Sequence, residues 1–307
     1  MKLNYFIQVI GLTIFSLFEL IKSNNINEIS SINTFNVLSF SGGGAFGAVE
    51  IGILNKLIDT NAIVKNYDLY TGISAGGLNA GFLSHFNEIK EGLLPIKNIY
   101  TQLTNHQIYE ILPATGISLL NTKPLEKTIT KILSELKQSN IETMIGTTNL
   151  NTGYLDTYYY NQLELNDQIQ LLMCTSAIPV AFPPIKFKNQ LYVDGGEIQN
   201  QLLNPITNIN NKFMNITYIT PYKTLDANYD IKTFEDIVKR NIQVVTTIYN
   251  NEIYRLNQNC DNKKGIIYMY YVDPMVLTNY SMLNFNTGSE LIKLGYNNVK
   301  YKVYNLC

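Results

Sequence analysis

The stretch Tyr70-Thr71-Gly72-Ile73-Ser74-Ala75-Gly76-Gly77 constrains this chain more than any other. The apolar run Tyr67-Asp68-Leu69-Tyr70 leads into it, and the small-residue run Leu78-Asn79-Ala80-Gly81-Phe82-Leu83 leads away. Strand, sharp turn and helix in that order, with Gly-x-Ser-x-Gly at the turn, form the setting of a nucleophile elbow. The serine there sits on a strained turn with its hydroxyl clear of the sheet. Glycines two residues either side, Gly72 and Gly76, remove the Cβ atoms that would collide as strand and helix close on each other. A turn of this kind needs a sheet beneath it and a helix packed against that sheet, so it predicts an α/β protein.

The flanking pattern agrees. Phe35-Asn36-Val37-Leu38-Ser39-Phe40 reads as a first buried strand, stopped by Ser41-Gly42-Gly43-Gly44-Ala45-Phe46-Gly47 and followed by a helix with Val49, Ile53, Leu57 and Ile58 on one face. The elbow helix is expected to run to about Phe86, and residues 87 to 122, broken by Gly92, Pro95, Pro113 and Gly116, read as loops and short helices. Pro124 opens a helix through Leu125, Ile129, Ile132, Leu133 and Leu136. Met144–Leu150 and Tyr154–Tyr160 flank Asn151-Thr152-Gly153 as a hairpin, and Asn166 or Asp167 caps a helix through Leu171, Leu172 and Cys174. Strands are expected up to Tyr192-Val193, at Met214–Thr220 and at Gly265–Asp273, with helices over about Thr233–Gln258 and Ser289–Val303. The sum is a three-layer α/β/α sandwich with a mostly parallel central sheet. Residues 35–220 form its catalytic core, and residues 221–307 pack back on the same domain.

Composition excludes some partners. The 307 residues are 46% hydrophobic and 15% charged with a net charge of −1, which gives no electrostatic footprint for nucleic acid. Lys2 followed by the apolar run Tyr5–Phe18, closed by Glu19 and Lys22, makes residues 1–23 a signal peptide or signal anchor, with a polar spacer over residues 24–34. That places the chain in the secretory pathway, secreted or membrane-associated. Cys174, Cys260 and Cys307 lack metal-ligand spacing. Cys174 reads as an inert core thiol, while pairing of Cys260 with Cys307 stays open. The sequons at Asn215 and Asn279 read as accidents of an Asn-rich chain.

Gly42, Gly44 and Gly47 also satisfy the Gly-x-Gly-x-x-Gly fingerprint of dinucleotide sites. That reading needs an acidic residue where the second strand ends, and Ser74 stands there, with Asp68 before it. The other reading is an oxyanion hole: backbone N–H groups at a helix start, unobstructed by side chains, facing developing negative charge. A serine also needs a base. His85 lies about 16 Å along the elbow helix from Ser74, out of reach. His106 sits in a loop-like stretch and stays open, but no histidine follows it, so the usual Ser, acid, His order fails. Asp194, at a strand end before Gly195-Gly196, is the remaining candidate and makes a Ser–Asp dyad with Ser74.

Gly42-Gly43-Gly44, Gly72–Gly76 and Asp194-Gly195-Gly196 in this order, with Ser176-Ala177-Ile178-Pro179 and Phe182-Pro183-Pro184 before the last, resemble the patatin-like phospholipase family. The resemblance covers about residues 35–220 and more loosely extends to Leu291–Tyr296. It implies Ser74 as nucleophile, Asp194 as base and the backbone N–H groups of Gly42, Gly43, Gly44 and Ala45 as the oxyanion donors. It also implies a patatin-like fold, hydrolysis of fatty acyl esters of glycerophospholipids at a membrane or micelle surface, and no metal or organic cofactor. Phe46 stands where many members carry Arg or Lys, and Asn200 with Asn204-Pro205 matches the family's Asn-Pro loosely. The alternatives are a non-catalytic lipid-binding protein on the same fold and a dinucleotide-binding enzyme.

Overall fold

A computed structural model describes residues 34–111, 116–203, 212–222 and 264–306, with residues 231–233, 236, 237, 240, 241, 244 and 247 between them. The N-terminal apolar run, Cys260, Cys307 and most of the helix expected over Thr233–Gln258 lie outside the described residues.

The sheet has nine strands. At its centre are β1 (Thr34–Phe40), β2 (Leu69–Ile73), β5 (Thr143–Asn149), β9 (Phe213–Tyr222) and β10 (Gly265–Val272), all parallel, in the order β10-β9-β1-β2-β5. Its margins are antiparallel: β11 (Lys300–Leu306) beside β10, and β6 (Leu155–Tyr159), β8 (Gln190–Asp194) and β7 (Ile185–Phe187) beyond β5. A short ribbon, β3 (Glu110–Ile111) with β4 (Leu120–Asn121), stands apart. The described helices are α1 (Gly47–Asp59), α2 (Ala75–Leu83), α3 (Ile89–Gln102), α4 (Lys123–Ser134), α5 (Leu165–Thr175) and α6 (Gly288–Asn297). This is the expected class, a mixed sheet with a parallel centre and helices on both sides.

Strand alternation divides the core. Leu38, Phe40 and Tyr70 pack with α1, α2, α3 and α6, whereas Val37, Leu69, Ile73, Met144 and Ile216 point to the opposite face. The parallel strands are buried on both faces, so β2 and β5 show no exposed residue and read as continuous runs.

Three expectations are corrected. Residues 89–102 form one helix in place of loops and short pieces, although Pro95 lies inside it. Ile89, Leu93, Ile96 and Tyr100 fall on one buried face, and burying each is worth about 1.5–3 kcal/mol, more in sum than the roughly 3 kcal/mol cost of an internal proline. The helix expected over Ser289–Val303 stops at Asn297, and Lys300–Leu306 is an edge strand with Tyr304 and Leu306 buried. Its period of two is too short, and too close behind the helix, to stand out in sequence. Finally, Glu164 occupies the cap position of α5, and Asp167 lies in the first turn. Cys174 is fully buried, as expected, and burial pushes its thiol up to about 12.

One strand positions the site. Met144–Gly146 of β5 pair with β2 on one edge and with β6 on the other. Thr147 and Thr148 still pair with β6, but on the edge β2 has vacated they pair with Asp194 and Val193 of β8. The end of β2 and the end of β8 therefore meet along the same edge of β5, with Ile73 opposite Gly146 and Asp194 opposite Thr147.

Candidate active site

Ser74 begins α2 with φ 55° and ψ −127°, a conformation that costs an L-residue free energy and survives only when its surroundings hold it. Several contacts do so. The Ser74 N–H donates to Thr175 Oγ1 at 2.9 Å, and the Thr175 hydroxyl donates onward to the Gly146 carbonyl at 2.6 Å. A Cβ on Gly72 would fall on the carbonyl of Gly76, and one on Gly76 would fall on the carbonyl of Ser41. The elbow thus folds because two side chains are missing.

Asp194 ends β8 and caps the single turn Gly195–Glu197. Its Oδ1 accepts from the Gly196 N–H at 2.8 Å, and its own N–H donates to the Ala177 carbonyl at 2.9 Å. Oδ2 is left for the Ser74 hydroxyl, which donates to it at 2.6 Å. The two residues are 4% and 3% exposed, so the pair is shielded from water. Burial pushes the Asp194 carboxyl up to about 7. The bonds from Ser74 and Gly196 oppose that rise, and the nearby Glu197 carboxyl adds to it.

The glycine loop lies against this pair, and a Cβ on Gly42 would come within 3.0 Å of Ser74 Cβ. Of the four expected donors, two are already engaged. The Gly42 N–H meets Asn200, whose side chain also donates to the Gly42 carbonyl at 3.2 Å, and the Ala45 N–H donates to the Met282 carbonyl at 2.7 Å. Gly42 and Ala45 are thereby corrected from donors to anchors. The N–H groups of Gly43 and Gly44 have no acceptor among the described residues. Gly47, the third glycine of the dinucleotide pattern, packs against Ala75 and the Tyr100 hydroxyl. Its lack of a side chain serves helix packing.

Gly44 and Ser74 both line a cavity enclosing about 870 Å³ of empty space, part of it open to solvent. The remaining walls are overwhelmingly apolar, among them Leu78, Phe82, Leu103, Ile129 and Phe182.

Neither histidine joins the site. His85 is buried, with Nδ1 bonded to the Lys137 carbonyl and Nε2 2.9 Å from the Tyr160 hydroxyl, and burial lowers its pKa. His106 is exposed on the turn Asn105–Gln107. Among the described residues no cluster of His, Cys, Asp and Glu is arranged to hold a metal, and no helix is long and apolar enough to cross a membrane. Sequence reasoning missed Thr175. Its one signal is its position immediately before Ser176-Ala177, which belongs to the recognised pattern.

Residues 38–208, more than half of the chain, match the family described as patatin-like phospholipase. The chain belongs to that family. An uncharacterized protein, R571, of Acanthamoeba polyphaga mimivirus is 25% identical over 218 residues, covering 66% of this chain and 72% of that protein. A cGAMP-activated phospholipase of Pseudomonas aeruginosa is 24% identical over 190 residues, covering 56% of this chain and 55% of the relative, so the match spans about half of that enzyme. Among solved structures, VipD from Legionella pneumophila shares 14% identity at a TM-score of 0.42, with 88% of this chain and 68% of VipD covered. Membership of that family supports lipid hydrolase activity. Within this patatin-like chain, Phe46, at the position where Arg or Lys is common in the family, is fully buried in the core beside Phe40 and Val49.

Proposed function

We propose that this chain hydrolyses fatty acyl esters of glycerophospholipids, of the phospholipase A type, through an acyl-Ser74 intermediate. The 2.6 Å hydrogen bond from the Ser74 hydroxyl to Asp194 at an apolar cavity is the observation that carries the reading. Ser74 Oγ attacks the ester carbonyl carbon while its proton passes to Asp194 Oδ2. The carbonyl oxygen, now anionic, takes hydrogen bonds from the Gly43 and Gly44 N–H groups, each worth about 3 kcal/mol in the transition state. Collapse breaks the ester C–O bond, and the departing lysophospholipid oxygen takes the proton from Asp194. Water then attacks the acyl-serine, giving its proton to Asp194, and Ser74 is restored as the fatty acid leaves. A base with a pKa near the working pH is well matched to accepting and returning a proton.

The cavity supports a lipid substrate presented at a membrane or micelle. Each acyl CH₂ removed from water contributes about 0.8 kcal/mol, so monomeric long-chain esters are preferred over acetyl esters. The test is a fluorophosphonate probe with intact-mass detection, alongside fatty acid release from a phospholipid bearing different chains at its two positions. Labelling of the native protein but not of Ser74→Ala, with one free fatty acid released, is expected. A folded protein that neither labels nor releases fatty acid would instead be a lipid-binding member of the family.

A further inference from the structure

A chain of buried polar groups lies under the glycine loop and takes no part in the proton transfers above. Glu50 on α1 is fully buried, as are Ala48, Val49 and Ile51 around it. Its Oε1 accepts from the Ser41 N–H at 3.0 Å and lies 3.2 Å from Ser41 Oγ. Its Oε2 accepts from Asn79 Nδ2 at 2.9 Å. Asn79 belongs to the elbow helix α2. Its Nδ2 also reaches the Gly47 carbonyl at 3.2 Å, and its Oδ1 accepts from the Tyr100 hydroxyl at 2.7 Å. Burial pushes the Glu50 carboxyl well above the usual carboxylate range, against the pull of the bonds from Asn79 and Ser41. A buried carboxyl is costly to retain where an apolar side chain could pack.

We propose that Glu50 is a positioning residue for acyl transfer, clamping the start of the glycine loop to the elbow helix so that the Gly43 and Gly44 N–H groups stand fixed relative to Ser74. The inference rests on the proposed hydrolysis and deepens it. A run of glycines has no side chains with which to pack, so its rigidity must come from bonds to its backbone. Asn200 holds Gly42 from the Asp194 side. Glu50 holds Ser41 from below and, through Asn79, ties it to the helix that Ser74 begins. Donors raise the rate only if they are already oriented when charge develops, so loosening the clamp lowers kcat and spares ground-state binding.

Glu50→Gln keeps the shape and one acceptor but turns an N–H toward the Asn79 Nδ2 donor. It is expected to lower kcat on a phospholipid substrate at least tenfold with KM within threefold, and to slow fluorophosphonate labelling of Ser74 in parallel. Ile51→Val, on the same helix and equally buried, is the control. It lowers Tm and leaves kcat within twofold. A Glu50→Gln protein with kcat within twofold of the parent overturns the inference, as does a kcat loss that Ile51→Val reproduces at the same Tm. If Glu50→Gln does not fold, Asn79→Ala, which cuts the tie from Glu50 to the elbow helix and leaves the Glu50–Ser41 bonds in place, decides: a tenfold or greater loss of kcat supports the clamp and a kcat within twofold of the parent overturns it. An inactive, unlabelled wild-type protein would refute the hydrolysis itself, an outcome distinct from all of these.

Discussion

Ser74 and Asp194 touch, yet the two halves of the sheet hold them by different means. Ser74 belongs to a parallel strand–helix unit in which everything needed lies within a few residues. Gly72 and Gly76 clear the space, and the strain at φ 55° is confined to one turn. Asp194 belongs to an antiparallel margin, carries an ordinary φ of −48°, and owes its position to distant partners: Thr147 on β5 and the Ala177 carbonyl. Ser74 is placed by local sterics and Asp194 by register along β5. The two therefore fail differently when disturbed, at the elbow by backbone collision and at Asp194 by misalignment or protonation.

The largest difference is expected from alanine at a glycine in each half. Gly76→Ala puts a methyl group on the Ser41 carbonyl, which cannot move without shifting β1, so it should destabilise the fold by about 3 kcal/mol or more, or abolish folding, in urea titration. Gly196→Ala meets only the Asp194 and Asn200 side-chain oxygens, at 3.0 and 3.1 Å, and should fold with lowered activity. Equal stability of the two variants would erase the distinction.

The next effect is one of pH and belongs to Asp194 alone. With its pKa raised to about 7, Asp194 is protonated at lower pH and cannot take the serine proton. The kcat/KM profile should fall with unit slope below about pH 7, about 100-fold by pH 5. The stability linkage has the opposite sign. A carboxyl raised from 3.8 to about 7 in the folded state binds its proton more tightly there, so its contribution weakens as pH rises through that window. A flat rate profile between pH 5 and 8 in a folded protein would remove Asp194 from the role.

Thr175 links the halves, and its effect should be smaller. Thr175→Val keeps the volume but strands the Ser74 N–H and the Gly146 carbonyl, at about 1–3 kcal/mol for each unsatisfied group. A Tm decrease with a kcat loss of roughly tenfold is expected, since the strained turn loses an anchor. The smallest effect is assigned to His106→Ala. This exposed residue lies outside the site, and kcat should stay within twofold. A large loss would reinstate a histidine base.

The same contrast explains what was legible in sequence. The elbow, the glycine loop and the parallel strands are local patterns, spaced by fixed geometry, and each could be read from a few consecutive residues. Asp194 could be nominated only by elimination and resemblance, because no local rule joins residues 120 apart. The division of the glycine loop into anchors and free donors was not legible, since it depends on Asn200 and Met282 arriving from elsewhere. Gly92 and Pro95 interrupt the local signal of α3, while the burial that overrides them is a property of the assembled core. Glu50 gave no signal at all: in the sequence it is one acidic residue on a helix, and only packing reveals that it is enclosed.

The most direct test is fatty acid release from a micellar phospholipid at pH 8 by Asp194→Asn, with Tm recorded on the same sample. Loss of kcat by about 10³-fold or more, with Tm equal to or above the parent because a buried charge has been removed, is the predicted result. A folded Asp194→Asn protein retaining a tenth or more of the parental kcat would contradict the Ser74–Asp194 mechanism.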